Sequence, residues 1–92
     1  MMTKLEQKLI ELGYHKYQTI YYKDDDKPYI DFKKQYCYRA TIHIGLYDNK
    51  IDTYNVTTEY EYFTKQQAID NLQQAFNEMQ KDLERLKEYE SN

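Results

Sequence analysis

The sequence predicts an α+β fold in which a three-stranded antiparallel meander carries a short amino-terminal and a long carboxy-terminal helix on one face. Three observations lead there. From Ile69, the residues Leu72, Phe76, Met79, Leu83 and Leu86 follow at steps of three and four, which is one stripe of an α-helix. Between Tyr29 and Tyr47 the apolar side chains keep even numbers and the polar ones odd numbers, which is a sheet with one buried and one wet face. Near the start, Leu5, Leu9 and Leu12 repeat at helical spacing and end at Gly13. The order is α–β–β–β–α over one domain, residues 1–92, because a chain this size supports one core.

The first helix is expected over about residues 3–12. Thr3 and Glu6 have the spacing of a capping box, and Gly13 suits a left-handed terminator with Tyr14 as its apolar contact. A strand at about 15–23 follows, rich in Tyr, Ile and Thr. Asp24, Asp25, Asp26, Lys27 and Pro28 are turn residues. The second strand is expected at about 29–47, with a bend or bulge at Lys34, and the third at about 51–63. A three-residue loop at Asp48, Asn49 and Lys50 makes opposed residue numbers sum to 98, pairing Ile44 with Tyr54, Ile42 with Val56 and Arg39 with Glu59. By the same logic Ile20 and Tyr22 face Phe32 and Ile30. Thr64 and Gln67 form a second capping box, and the long helix runs over about 65–89. Its last part, Leu83, Leu86 and Tyr89, is expected to outrun the sheet.

Composition bounds the function. The net charge is −3, divided unevenly: eight Lys/Arg against six Asp/Glu up to Tyr47, and five against ten after it. That is not the basic footprint of a protein that lives on phosphates. One cysteine, Cys37, leaves no intrachain disulfide and fits a reducing compartment, so the cytoplasm is expected. No apolar run is long enough for a membrane span. His15 and His43 have no metal-ligand spacing around them, the Asp24–Asp26 run lacks the glycine and terminal Glu of an EF-hand, and Gly13 and Gly45 form no phosphate loop. No cofactor, metal or catalytic residue is expected, and the chain reads as a non-enzyme. Twelve Tyr and no Trp suit contact surfaces. Two such surfaces are predicted. One is the wet sheet face with Arg39, Thr41, His43, Asn55, Thr57 and Glu59, bordered by Tyr17, Tyr21 and Tyr47. The other is the distal helix at Leu83, Leu86 and Tyr89.

The α–β–β–β–α order resembles the double-stranded RNA-binding domain, and the stretch Phe63 to Ala68 is similar to that family's helix start. A single Lys65 stands where the family has a basic cluster, and Glu59-Tyr60-Glu61-Tyr62 replaces its glycine-rich segment, which argues against RNA binding. The Lys/Tyr/Asn/Ile-rich composition and the ending QQAIDNLQQAFNEMQKDLERLKEYE resemble small uncharacterised phage and prophage proteins of Gram-positive bacteria. That resemblance implies an accessory or inhibitor protein, of the anti-CRISPR kind, that occupies a host protein's surface. The expected function is therefore a protein-binding module, with a host or phage protein as partner and a homodimer as a further option. Its alternative is nucleic-acid binding through Lys16, Lys33, Lys34 and Arg39.

Overall fold

The computed structural model describes residues 1–24, 29–31, 36–38, 40–58 and 65–90, with 29–31, 36–38, 65, 67 and 68 as backbone. The fold is α+β and antiparallel. Helix α1 spans Lys4–Glu11, and strands β1 (His15–Tyr17), β2 (Ile20–Asp24), β3 (Tyr29–Asp31), β4 (Tyr36–Tyr38), β5 (Ala40–Tyr47) and β6 (Lys50–Thr58) follow. Helix α2 spans Lys65–Leu86 and ends in a 3₁₀ turn, Lys87–Tyr89. The main sheet has four strands in the order β1-β2-β5-β6, and β3 and β4 form a separate two-stranded hairpin. The expectation of three long strands is corrected in two places. The run 15–23 folds back on itself at Gln18, whose φ of 56° lets the chain reverse between Tyr17 and Ile20. The run 29–47 divides into a separate hairpin and β5, so β2 pairs with β5, and Ile20 and Tyr22 sit opposite Gly45 and His43.

The ends of α1 follow from its sequence. Thr3 Oγ accepts the Glu6 N–H at 3.1 Å, and the Glu6 carboxylate reaches back to the Thr3 N–H at 3.4 Å. At the other end Gly13 adopts φ 98°, its N–H bonds Ile10 O, and the Tyr14 N–H bonds Leu9 O, both at 3.0 Å. This is a Schellman motif, and it turns Tyr14 into the core.

The β5–β6 hairpin shows how a correct register can come from a different turn. Thr41 opposes Thr57, Ile42 opposes Val56, His43 opposes Asn55 and Ile44 opposes Tyr54, so the numbers sum to 98 through the body of the ladder. The loop, however, has two residues and not three. Asp48 and Asn49 have φ of 55° and 59°, the positive pair that a type I′ turn requires. Tyr47 therefore opposes Lys50 and Leu46 opposes Ile51, and a β-bulge that leaves Asp52 without an opposite number restores the sum.

Among the described residues the core is made of Leu5, Leu9, Tyr14, Tyr21, Ala40, Ile42, Ile44, Ala75, Met79 and Leu86. The even phase of β5 is thus inward, as its alternation requires. On β2 the inward residues are odd, Tyr21 and Lys23, because they oppose Ile44 and Ile42. Both helices cover this face, with α1 reaching the far end of α2.

Candidate interaction surface

Helix α2 does not bury its own apolar stripe. Among its described side chains the buried ones are Asn71, Ala75, Met79, Asp82 and Leu86. At about 100° per residue, this line lies roughly 70° around the helix from the line through Ile69, Leu72, Phe76, Met79, Leu83 and Leu86. The two lines coincide at Met79 and Leu86, so only there is the apolar stripe fully inside. Ile69 and Phe76, farthest from the buried line, are 46% and 45% exposed.

One buried charge cluster accounts for the rotation. Asp82 is 2% exposed and its carboxylate accepts two hydrogen bonds at Oδ2, from Tyr14 OH at 2.8 Å and from Lys23 Nζ at 2.6 Å. Lys23 Nζ also lies 3.2 Å from Glu78 Oε1, donates to Leu12 O at 3.2 Å and sits over the Tyr14 ring at 4.8 Å. An ammonium with three donors is thereby fully engaged. Burial, and then the bond to Asp82, raise the Tyr14 phenol far above its ordinary range, so it serves here as a donor and not as a base. The cluster ties α1, β2 and α2 together, and it turns the Asp82 side of α2 inward.

The distal helix therefore behaves differently from its expectation. Leu86 is completely buried, with Leu5 and Leu9 of α1 in the same core, and Leu83 and Tyr89 pack against that core half-buried. Lys8 Nζ lies 5.7 Å from the centre of the Tyr89 ring. Leu86 is thus corrected from a surface contact to a core residue. The tail does not outrun the fold, because α1 covers it; the uncovered part of the stripe is the proximal half.

On the wet face, His15, Tyr22, His43 and Asn55 form one row across all four strands. The His15 and Tyr22 rings lie 5.5 Å apart, Thr41 Oγ donates to Asp24 Oδ1 at 2.8 Å, and His43 Nε2 bonds Thr57 Oγ at 3.1 Å. Thr41, His43, Asn55 and Thr57 share this face, and three of them are engaged: His43 with Thr57, and Thr41 with Asp24. Tyr17 and Tyr47 are exposed there, whereas Tyr21 is corrected to the core, 2% exposed. Arg39 and Glu59 lie outside the described residues, as do Lys33, Lys34, the bulge proposed at Lys34, residues 25–28 of the Asp-rich turn and the Thr64 cap. Lys16 pairs with Glu6 at 3.5 Å.

The surface that sequence reasoning missed lies between α2 and β6. A groove of about 480 Å³ is lined by Tyr54, Val56, Ile69, Leu72, Phe76 and Met79, with Asn55 and Gln73 at its rim. Tyr54, on the helix-covered face of the sheet, is 54% exposed. β6 is an edge strand, and among the described residues nothing pairs with its outer side. The Leu46 N–H bonds Thr19 O on the β2 side, so by the alternation of antiparallel ladders the odd-numbered β5 residues bond β6. Tyr54 and Val56 then turn their N–H and C=O groups to the free edge. Nearer the turn the edge is occupied: the Ile51 N–H donates to Glu90 Oε2 at 2.9 Å, and the bulge follows at Asp52. The missed signal was the pair Ala75 and Asp82, a small residue and a charge on one helix line, which marks a line that can be inside when a cation waits there.

No protein-family model, curated protein or solved structure matches the chain. Among the described residues no three His, Cys, Asp or Glu side chains could hold a metal ion, and no helix is long and apolar enough to cross a membrane.

Proposed function

We propose that this chain is a non-enzymatic protein-binding module whose partner adds an extended segment to the free edge of β6. The observation that carries the reading is the juxtaposition of Tyr54, Ile69 and Phe76, each about half exposed, with a strand edge that no described residue pairs. Main-chain bonds to Tyr54 and Val56 give such a segment its register, and alternate side chains enter the groove. Such a segment can come from another protein, as the resemblance to phage and prophage proteins implies, or from a second copy of the chain.

Selection from a random-peptide display library against the immobilised chain tests the reading. Enriched peptides are expected to carry apolar residues at alternate positions, and Phe76→Lys is expected to weaken them by about tenfold or more. No enrichment at a concentration where light scattering finds a single copy, or binders indifferent to Phe76→Lys, would refute the proposed mode.

A further inference from the structure

Resting on that reading, we infer that the strand added to β6 is β6 of a second copy, giving a twofold dimer with Asn55 on its axis. The first support is register. An antiparallel partner must set residues with outward amides opposite one another, so opposed numbers sum to an even value. A sum of 108 would bring the Glu90-capped Ile51 amide and the Asp52 bulge well inside the new ladder. A sum of 110 gives the longest ladder that keeps the capped amide at the margin: it sets Tyr54 against Val56 of the second copy, and Asp52 against Thr58.

The second support is charge. From Ile51 to Thr58 the only charged residue is Asp52, and from Gln66 to Asn77 the only one is Asp70. From Glu78 to Glu90, by contrast, eight of the residues are charged: Glu78, Lys81, Asp82, Glu84, Arg85, Lys87, Glu88 and Glu90. The groove region thus offers a charged partner little to match and a second copy little to repel. At the rim Gln73 donates to Asn77 at 3.0 Å, and the one nearby carboxylate, Asp70, accepts from Gln66 at 2.9 Å. In the twofold arrangement each Asp52 meets a Thr58 and not its own copy.

The third support is shape. Both helices lie on one face of the sheet, so pairing β6 with its copy places the two α2 helices side by side across the axis. Ile69 and Phe76, on the α2 side toward β6, are then the residues that meet. A stable dimer needs roughly 800 Å² from each partner. That is a little over a tenth of the 7046 Å² that one chain exposes, an extent that a strand and a helix flank can supply.

The test is light scattering coupled to size exclusion on the full chain, from micromolar to millimolar concentration. The expected mass is twice the 11.4 kDa of one chain. Val56→Pro removes an amide that faces only the free edge, and it is expected to return the chain to one copy, as is Phe76→Lys. In a Cys37→Ser background, Asn55→Cys is expected to give an inter-chain disulfide under mild oxidation, because the two positions coincide on the axis, whereas Thr41→Cys is not. A single-chain mass at every concentration overturns the dimer while leaving the peptide-display result to decide the wider reading. A dimer that persists in both Val56→Pro and Phe76→Lys overturns the use of this edge altogether. A dimer without the Asn55→Cys cross-link overturns the register.

Discussion

The residue with most to lose is Lys23. It holds its ammonium against a buried carboxylate, a second carboxylate, a carbonyl and a phenol ring. Lys23→Met keeps the aliphatic bulk but leaves Asp82 buried without its cation. Breaking a buried pair from one side costs about 3–5 kcal/mol, against a total stability that is modest for a chain this short. Chemical denaturation is expected to show a loss of that size. Replacing Lys23, Asp82 and Tyr14 together, with Lys23→Met, Asp82→Leu and Tyr14→Phe, is expected to recover most of it, since no buried carboxylate is left without a cation, while Leu12 O and the half-exposed Glu78 carboxylate lose a donor.

A second pair fixes how stability depends on pH. Tyr21 OH donates to Glu6 Oε2 at 3.0 Å, and that bond holds the Glu6 carboxyl below its ordinary range. Its contribution is present above the ordinary carboxylate pKa and is lost as the pH falls through the lowered one. Burial, then the same bond, pushes the Tyr21 phenol up to about 12. That contribution is complete below the ordinary phenol pKa and is lost as the pH rises through the raised value. Tyr21→Phe is expected to move the Glu6 carboxyl titration, followed by NMR, back toward the ordinary range. An unmoved titration would mean that the bond is not formed in solution.

At the scale of elements, the hairpin β5–β6 shows what alternation can and cannot reveal. The facing pairs were legible because a slip of one residue would have set Ile42 against Asn55. The loop length was not, since a two-residue turn plus a bulge and a three-residue turn give the same body register. Gly45 lies next to this bulge. A Cβ there would collide with Thr53 Oγ and press on Ile20 Cδ1 at 3.1 Å. Gly45→Ala is expected to lower stability by about 1–3 kcal/mol, and Thr53→Ala in the same chain to recover part of it, read by thermal melts. Persistence of the full loss in the double variant would place the strain elsewhere.

The long helix carries the other lesson at this scale. Its existence, its span and its apolar stripe could all be read from spacing. Its rotation could not, because spacing says which residues share a line and not which line the rest of the chain will cover. Asp82 and Lys23 settle that, and they are 59 positions apart. Attraction across such a separation leaves no local pattern. The predicted open-face set was legible for a related reason: once the even phase was fixed, Thr41, His43, Asn55 and Thr57 had to share the other face. Leu86 was misplaced because a helix of eight residues, α1, was not expected to cover it.

For the whole molecule, the consequence is that the core and the groove draw on the same apolar stripe. Met79 serves the core while Phe76, three positions away, serves the groove. If two copies associate through β6, the melting temperature is expected to rise with protein concentration, and Phe76→Lys to abolish that rise. A concentration-independent melt in the unaltered chain would count against the dimer.

The bulge at Asp52 and the brevity of β1 together bear on what such a sheet cannot become. Strand-to-strand growth needs a free edge at both ends. Here the outer rim on the far side offers three residues, His15–Tyr17, and the near rim is already blunted for half its length by Asp52 and Glu90. If two copies pair through β6, that contact consumes the remaining half. Assembly would then close at two copies, and the irregularity at Asp52 would guard the chain against polymerising into fibres.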